Sequence, residues 1–152
     1  MLGGQLWLGA LMIVTTVIFH VGGLIGLSFL LQGLGRRVSN YGVVVRMTTI
    51  LTTTVLTVLM IHFIEAWGWA VLYLYVGEFS DLGRALYFSA VTATTLGYGD
   101  ITLSEQWQLL STIEAMGGLI LFGASTAFLI ATMRHILEDD LGISRSADGA
   151  AS

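Results

Sequence analysis

Cysteine is absent from this 152-residue chain, and charged residues make up only 11% of it. The first absence excludes disulfides, thiolate metal sites and cysteine nucleophiles, and leaves no sign of a redox compartment. Lysine is absent too, so Arg36, Arg37, Arg46, Arg84, Arg134 and Arg145 carry all the positive charge. They are scattered, and with a net charge of −4 no basic cluster points to nucleic acid as a partner. What remains is 55% hydrophobic, with a mean hydropathy of +0.85. A soluble domain of this length has too little interior to hide that much apolar surface, so the composition implies a membrane protein with lipid as a partner.

Three runs supply the hydropathy: Leu6 to Leu31 with no charged residue, Val43 to Val76 interrupted by Arg46 and Glu65, and Trp107 to Met133 interrupted by Glu114. Each exceeds the roughly 20 residues that cross a ~30 Å hydrocarbon core as a helix. A cleaved signal peptide fits the first run less well, because no basic segment precedes it and its apolar core far exceeds the ~7–15 residues of such leaders. Arginines gather at the first link and after the third run, with only Arg84 between the second and third. By the positive-inside tendency the N-terminus and residues 77–106 face outside, and the first link and C-terminus face the cytoplasm.

The link "QGLGRRVSNYG" reads as a glycine-bearing turn that makes antiparallel neighbours of the helices it joins. Residues 1–35 thus form one spanning helix, and 36–137 the rest of the membrane domain, with helices over 43–76 and 107–137. From Glu138 the chain turns polar and rich in small residues, which reads as a disordered tail over 138–152. Thr48, Thr49, Thr52, Thr53, Thr54 and Thr57 stripe the second run, and read first as helix packing and second as a transport path. Trp67, Trp69, Tyr73, Tyr75 and Trp107 read as an interfacial aromatic belt, not a ligand cage.

Between the second and third runs, "DLGRALYFSAVTAT" is apolar but too short to span. It has the length of a re-entrant half-helix over 82–94, with Asp81 as N-cap. "TLGYGD" follows at once. Lipid cannot satisfy irregular backbone, so such a stretch at membrane depth lines a water-filled path or is enclosed by protein. Gly97 and Gly99 supply the left-handed dihedrals that turn successive carbonyls one way, and aligned carbonyls replace the hydration shell of a cation.

The stretch "TATTLGYGD", Thr92 to Asp100, resembles the selectivity-filter signature of potassium channels, and differs from the common prokaryotic form "TATTVGYGD" only at Leu96. The resemblance runs from about Glu65 to Met133 and leaves the first helix as an addition to a minimal two-helix pore. It implies an all-α membrane protein of three transmembrane helices plus a pore helix and filter loop, in a prokaryotic inner membrane. It also implies a homotetramer, because one filter takes four loops and this chain holds one. On the resemblance, the carbonyls of Thr95, Leu96, Gly97, Tyr98 and Gly99 line the path in the filter segment 95–100. K+ is the permeant ligand, with sites at Thr95, Leu96, Gly97 and Tyr98, and no cofactor is implied. Thr94, Asp100 at the outer mouth and Tyr87, placed to bond Asp100, support the filter. Gly117, Gly118 and Gly123 fall where the family's gating hinge lies.

The sequence departs from the family in three places. Leu96 adds a methylene and loses the β-branching of valine, and no proline follows the filter. Val91 stands where some members carry a carboxylate behind the filter, while Glu114 brings one into the membrane from the third run. Glu114 reads either as polar support behind the filter or as a helix contact. His62 and Glu65, three apart on one helical face, read as a satisfied buried pair or as a pH-sensitive element. His20 reads as a packing or interfacial residue.

These features favour a potassium-selective channel. A poorly selective cation channel of the same architecture is the alternative that Leu96 raises. A non-conducting subunit, with Gly22, Gly23 and Gly26 as a partner-binding face, is the alternative from another class. An enzyme is disfavoured, because His62, Glu65 and Glu114 form no evident nucleophile or metal set.

Overall fold

A segment this apolar closes its backbone hydrogen bonds within itself, and all three long runs become helices. The computed structural model describes residues 2–141. In chain order, four helices form: α1 Leu2–Val38, α2 Val43–Tyr75, α3 Leu82–Ala93 and α4 Gln108–Leu141. No strand occurs among the described residues. The three long helices are each long and apolar enough to cross a membrane, and α3 is not.

Two boundaries differ from the sequence expectation. The helix of α1 continues through Gly33, Gly35 and the arginine pair to Val38, so residue 35 lies inside a helix and the link shrinks to residues 39–42. Arg36 and Arg37 sit in its last turn, where cations oppose the negative end of the helix dipole. At the other terminus α4 runs on to Leu141, so the expected tail begins as helix, and residues 142–152 lie outside the described residues.

Helix α1 packs along α2 and α4, and α3 sits between α2 and α4. The principal core lies at one end of the bundle, where Trp69, Leu72 and Tyr73 of α2 meet Phe88 of α3, Leu103 of the following loop and Leu110 of α4. Tyr73 meets Phe88 edge-on, with ring centroids 5.2 Å apart at 82°. The aromatic belt is therefore smaller than expected. Trp69 and Tyr73, one turn apart, form the face that α3 covers, and Trp107 packs against the same core, while Trp67 and Tyr75 stay exposed. Of the threonine stripe, Thr53 and Thr54 donate to the carbonyls of Thr49 and Ile50, one turn back, at 2.8 Å each, while Thr48 and Thr52 are exposed in the single chain. At the start of α4, Gln5 Oε1 accepts from the Leu109 amide at 3.1 Å, so α1 satisfies an otherwise unpartnered donor of the α4 N-terminus.

Glycine is required where α4 crosses the end of α3. A Cβ on Gly118 would stand 2.3 Å from the Ala93 carbonyl oxygen, which is backbone and cannot swing aside. A Cβ on Gly123 would meet nothing within 4 Å. Gly118→Ala is expected to lower stability by about 1–3 kcal/mol through overpacking. Gly123→Ala is expected to be neutral or to raise stability by up to about 1 kcal/mol through helix propensity. Thermal unfolding of the purified variants in detergent reads the opposite signs.

Candidate ion-conducting site

The site starts with the end of α3. Asp81 Oδ1 accepts from the Arg84 amide at 2.9 Å and caps its N-terminus, and Thr94 closes its C-terminus with Oγ1 bonded to the Ala90 carbonyl at 2.7 Å. Beyond Thr94 the chain leaves the helix but stays tied to it. The amide of Thr95 donates to the Thr92 carbonyl at 2.9 Å. The amides of Leu96 and Gly97 both donate to the Val91 carbonyl, at 3.0 and 3.3 Å. Val91, which has no carboxylate to offer, thus supports this segment through its backbone.

Left-handed φ recurs at alternate residues: Thr95 at 58°, Gly97 at 54° and Gly99 at 75°. Alternation of hand collects successive amides on one side of the chain and turns the carbonyls to the other. Here the amides of Thr95, Leu96 and Gly97 bond back to α3, and among the described residues no hydrogen bond reaches the carbonyls of Thr95 to Gly99. A β-branched residue at positive φ costs about 1–3 kcal/mol, a strain held only where surrounding bonds fix it. The glycine pattern in the sequence points to left-handed backbone at Gly97 and Gly99 alone. Carrying their period of two back by one step would have found Thr95.

Every residue from Thr94 to Asp100 is exposed in the single chain, with Leu96 at 56% and Tyr98 at 65%. Outside the strand, Tyr87 Oη donates to Asp100 Oδ2 at 2.9 Å and joins α3 to the mouth. A second tie was not legible in the sequence: Glu78 accepts from both the amide and the hydroxyl of Ser104, at 2.7 and 2.6 Å. It fastens the loop before α3 to the loop before α4, across a separation of 26 residues.

Behind α3, Glu114 is buried and accepts from Tyr73 Oη at 2.6 Å and Ser89 Oγ at 2.5 Å. Its bonds reach α2 and the half-helix, so whatever it does for residues 95–99 passes through α3. Helix α4 is continuous through Gly117, Gly118 and Gly123. The His62–Glu65 contact is present at 3.0 Å, and His20 joins it from α1 as a buried partner, not an interfacial residue.

Removing the Glu114 carboxylate leaves two buried hydroxyls without an acceptor. Glu114→Ala is expected to cost about 1–3 kcal/mol per orphaned hydroxyl, and adding Tyr73→Phe and Ser89→Ala should recover part of the loss, as thermal unfolding would show. At the mouth, the bond to Asp100 raises the pKa of the Tyr87 phenol from its ordinary 10.0. The bond favours the neutral phenol, so its stabilisation is full below the unfolded value and is lost as pH rises through the raised one. Alkaline difference spectra should show one tyrosine ionising earlier in Asp100→Asn than in the wild type.

No curated protein and no solved structure matches the chain. A family model described as an ion channel matches residues 59–135, half of the chain, from the middle of α2 through α3 and the filter segment to the last turns of α4. Helix α1 lies outside the match. Two spanning helices around a half-helix, and an exposed loop whose carbonyls accept no hydrogen bond among the described residues, fit that match, and the chain belongs to the ion channel family of two-helix, potassium-channel-like pores.

Proposed function

We propose that the chain assembles as a homotetramer into a potassium-selective channel that passes K+ down its gradient through the carbonyls of Thr95 to Gly99. The observation that carries this reading is the alternating left-handed backbone at Thr95, Gly97 and Gly99, with the amides of Thr95, Leu96 and Gly97 tied back to α3. A single strand offers an ion carbonyls from one side only, and a dehydrated cation needs them all round. Four strands about an axis meet that need and also cover the residues exposed in the single chain. The C-terminal ends of four α3 helices then point at the inner cavity and stabilise a cation there.

In this reading α1, which runs to Val38, is the added helix and the pore domain follows it, with Asp100 and Tyr87 at the outer mouth. Arg46 Nη2 donates to the Ile136 carbonyl at 3.4 Å, so the start of α2 and the end of α4 lie together, with the arginines of the first link. That end faces the cytoplasm and the N-terminus faces outside, as in a prokaryotic inner membrane. No cofactor and no chemical step enter the function. Selectivity is the finer point, because Leu96 stands in for valine. Its side chain is 56% exposed in the single chain, so the added methylene strains nothing within the subunit.

Ion flux into liposomes holding the purified protein tests the reading. Flux under a potassium gradient and little under sodium is expected, and Gly97→Ala, which forces a Cβ onto φ 54°, should reduce potassium flux at least about tenfold. Equal flux in both gradients removes selectivity and leaves the cation channel, and none in either removes both. Native mass spectrometry of the same sample should find four chains per particle.

A further inference from the structure

The polar ring between α1, α2 and α4 is absorbed by neither the pore nor its mouth. Glu65 Oε1 lies 2.9 Å from His20 Nδ1, and Oε2 lies 3.0 Å from His62 Nδ1. On the far side of both imidazoles, Ser125 Oγ is 3.2 Å from His20 Nε2 and 3.1 Å from His62 Nε2. The ring is enclosed: the His20 side chain is 1% exposed, Glu65 7% and His62 10%. His62 is stacked on Phe122 at 4.0 Å, which fixes its plane.

A hydrogen count shows what this arrangement is short of. With Glu65 ionised and both imidazoles neutral, four contacts share three hydrogens, one on each imidazole and one on Ser125. If the two Nδ1 hydrogens point to Glu65, both Nε2 lone pairs face Ser125, which has one hydrogen to give. One contact then sets lone pair against lone pair, and in a buried ring that is costly. A positive centre on the Glu65 side removes the conflict.

We propose that His20, His62 and Glu65 form a binding site for one divalent transition-metal ion of the zinc type, with Ser125 orienting both imidazoles. One ligand atom from each of the three residues already lies within 4.8 Å of the others. Tetrahedral coordination at ~2.0–2.1 Å brings donors to about 3.3 Å, so the largest closure is about 1.5 Å, within reach of small side-chain rotations. The metal takes the Nδ1 lone pairs and one carboxylate oxygen. Each imidazole moves its hydrogen to Nε2, and Ser125 Oγ accepts both through its two lone pairs. The hydrogens balance: three before, three after, with none released. The Ser125 hydrogen turns to a carbonyl one turn back in α4.

Two imidazoles and one carboxylate suit zinc, nickel or cobalt, and not magnesium or calcium. His62 and Glu65 also line a cavity of about 180 Å³ together with Thr16, Phe122 and Gly118, which has room for a water to complete the coordination. The ion would fasten α1 to α2 directly and to α4 through Ser125. That ties the added helix, which lies outside the family match, to the pore module. The site is independent of whether the chain conducts.

The test uses the full chain in detergent, stripped with a chelator, loaded with Zn2+ or Mg2+ and desalted before elemental analysis. About one zinc per chain and no magnesium is expected, with a rise in melting temperature on loading. Affinity should fall by at least ~10–100-fold, the loss that outer-shell changes alone bring, in His62→Ala and in Glu65→Gln, and stay unchanged in the exposed His135→Ala. Should the alanine variant fold poorly, His20→Cys keeps a ligand at the site and should bind Co2+ with a thiolate charge-transfer band. Wild type that retains no stoichiometric zinc would show a ring closed by protons alone and would overturn the proposal. So would equal zinc uptake by the His20→Ala, His62→Ala double variant, or a His20→Cys protein that binds Co2+ without the band.

Discussion

A helix that stops halfway through a membrane leaves backbone groups that lipid cannot satisfy, and the packing of this chain answers that constraint. Helix α3 ends at Ala93, and α2 and α4 enclose it on both sides. Glu114 reaches from α4 into the gap and collects the hydroxyls of Ser89 and Tyr73. Gly118 lets the α4 backbone lie against the Ala93 carbonyl, where any side chain would intrude. A carboxylate and a missing Cβ thus do complementary work at one junction, the first holding α3 by bonds and the second by proximity.

With α3 held, the segment beyond it has a fixed anchor. Val91 offers one carbonyl to two amides, Thr92 offers another, and the strained φ at Thr95 persists because these bonds determine it. The carbonyls on the opposite side are left without intramolecular partners. The ties at Tyr87–Asp100 and Glu78–Ser104 restrain the far end of the segment, so it is held at each end.

Helix α1 stands apart from this logic. It lies outside the family match, yet it contributes Gln5 to the start of α4 and His20 to the buried ring with His62, Glu65 and Ser125. Neither contact is lipid-like packing. Each gives the added helix a specific register against the pore module, which apolar surface alone does not fix.

The sequence by itself determined the membrane class, the existence of three long helices, the half-helix with its Asp81 cap and the place of the irregular backbone. Those features rest on local composition, on length against bilayer thickness and on glycine spacing, all readable within a few neighbouring residues. Where α1 and α4 end was less legible, because arginine, leucine and glutamate carry a helix already under way through the glycines and aspartates that would read as its end. Only the tertiary structure decided that Tyr73 and Trp69 are core and not belt, that Glu114 serves Ser89 and Tyr73, and that His20 joins a pair 42 and 45 residues away. Partners that distant depend on which helix faces pack together, and helices apolar on nearly every side carry no periodic signal to say which face that is.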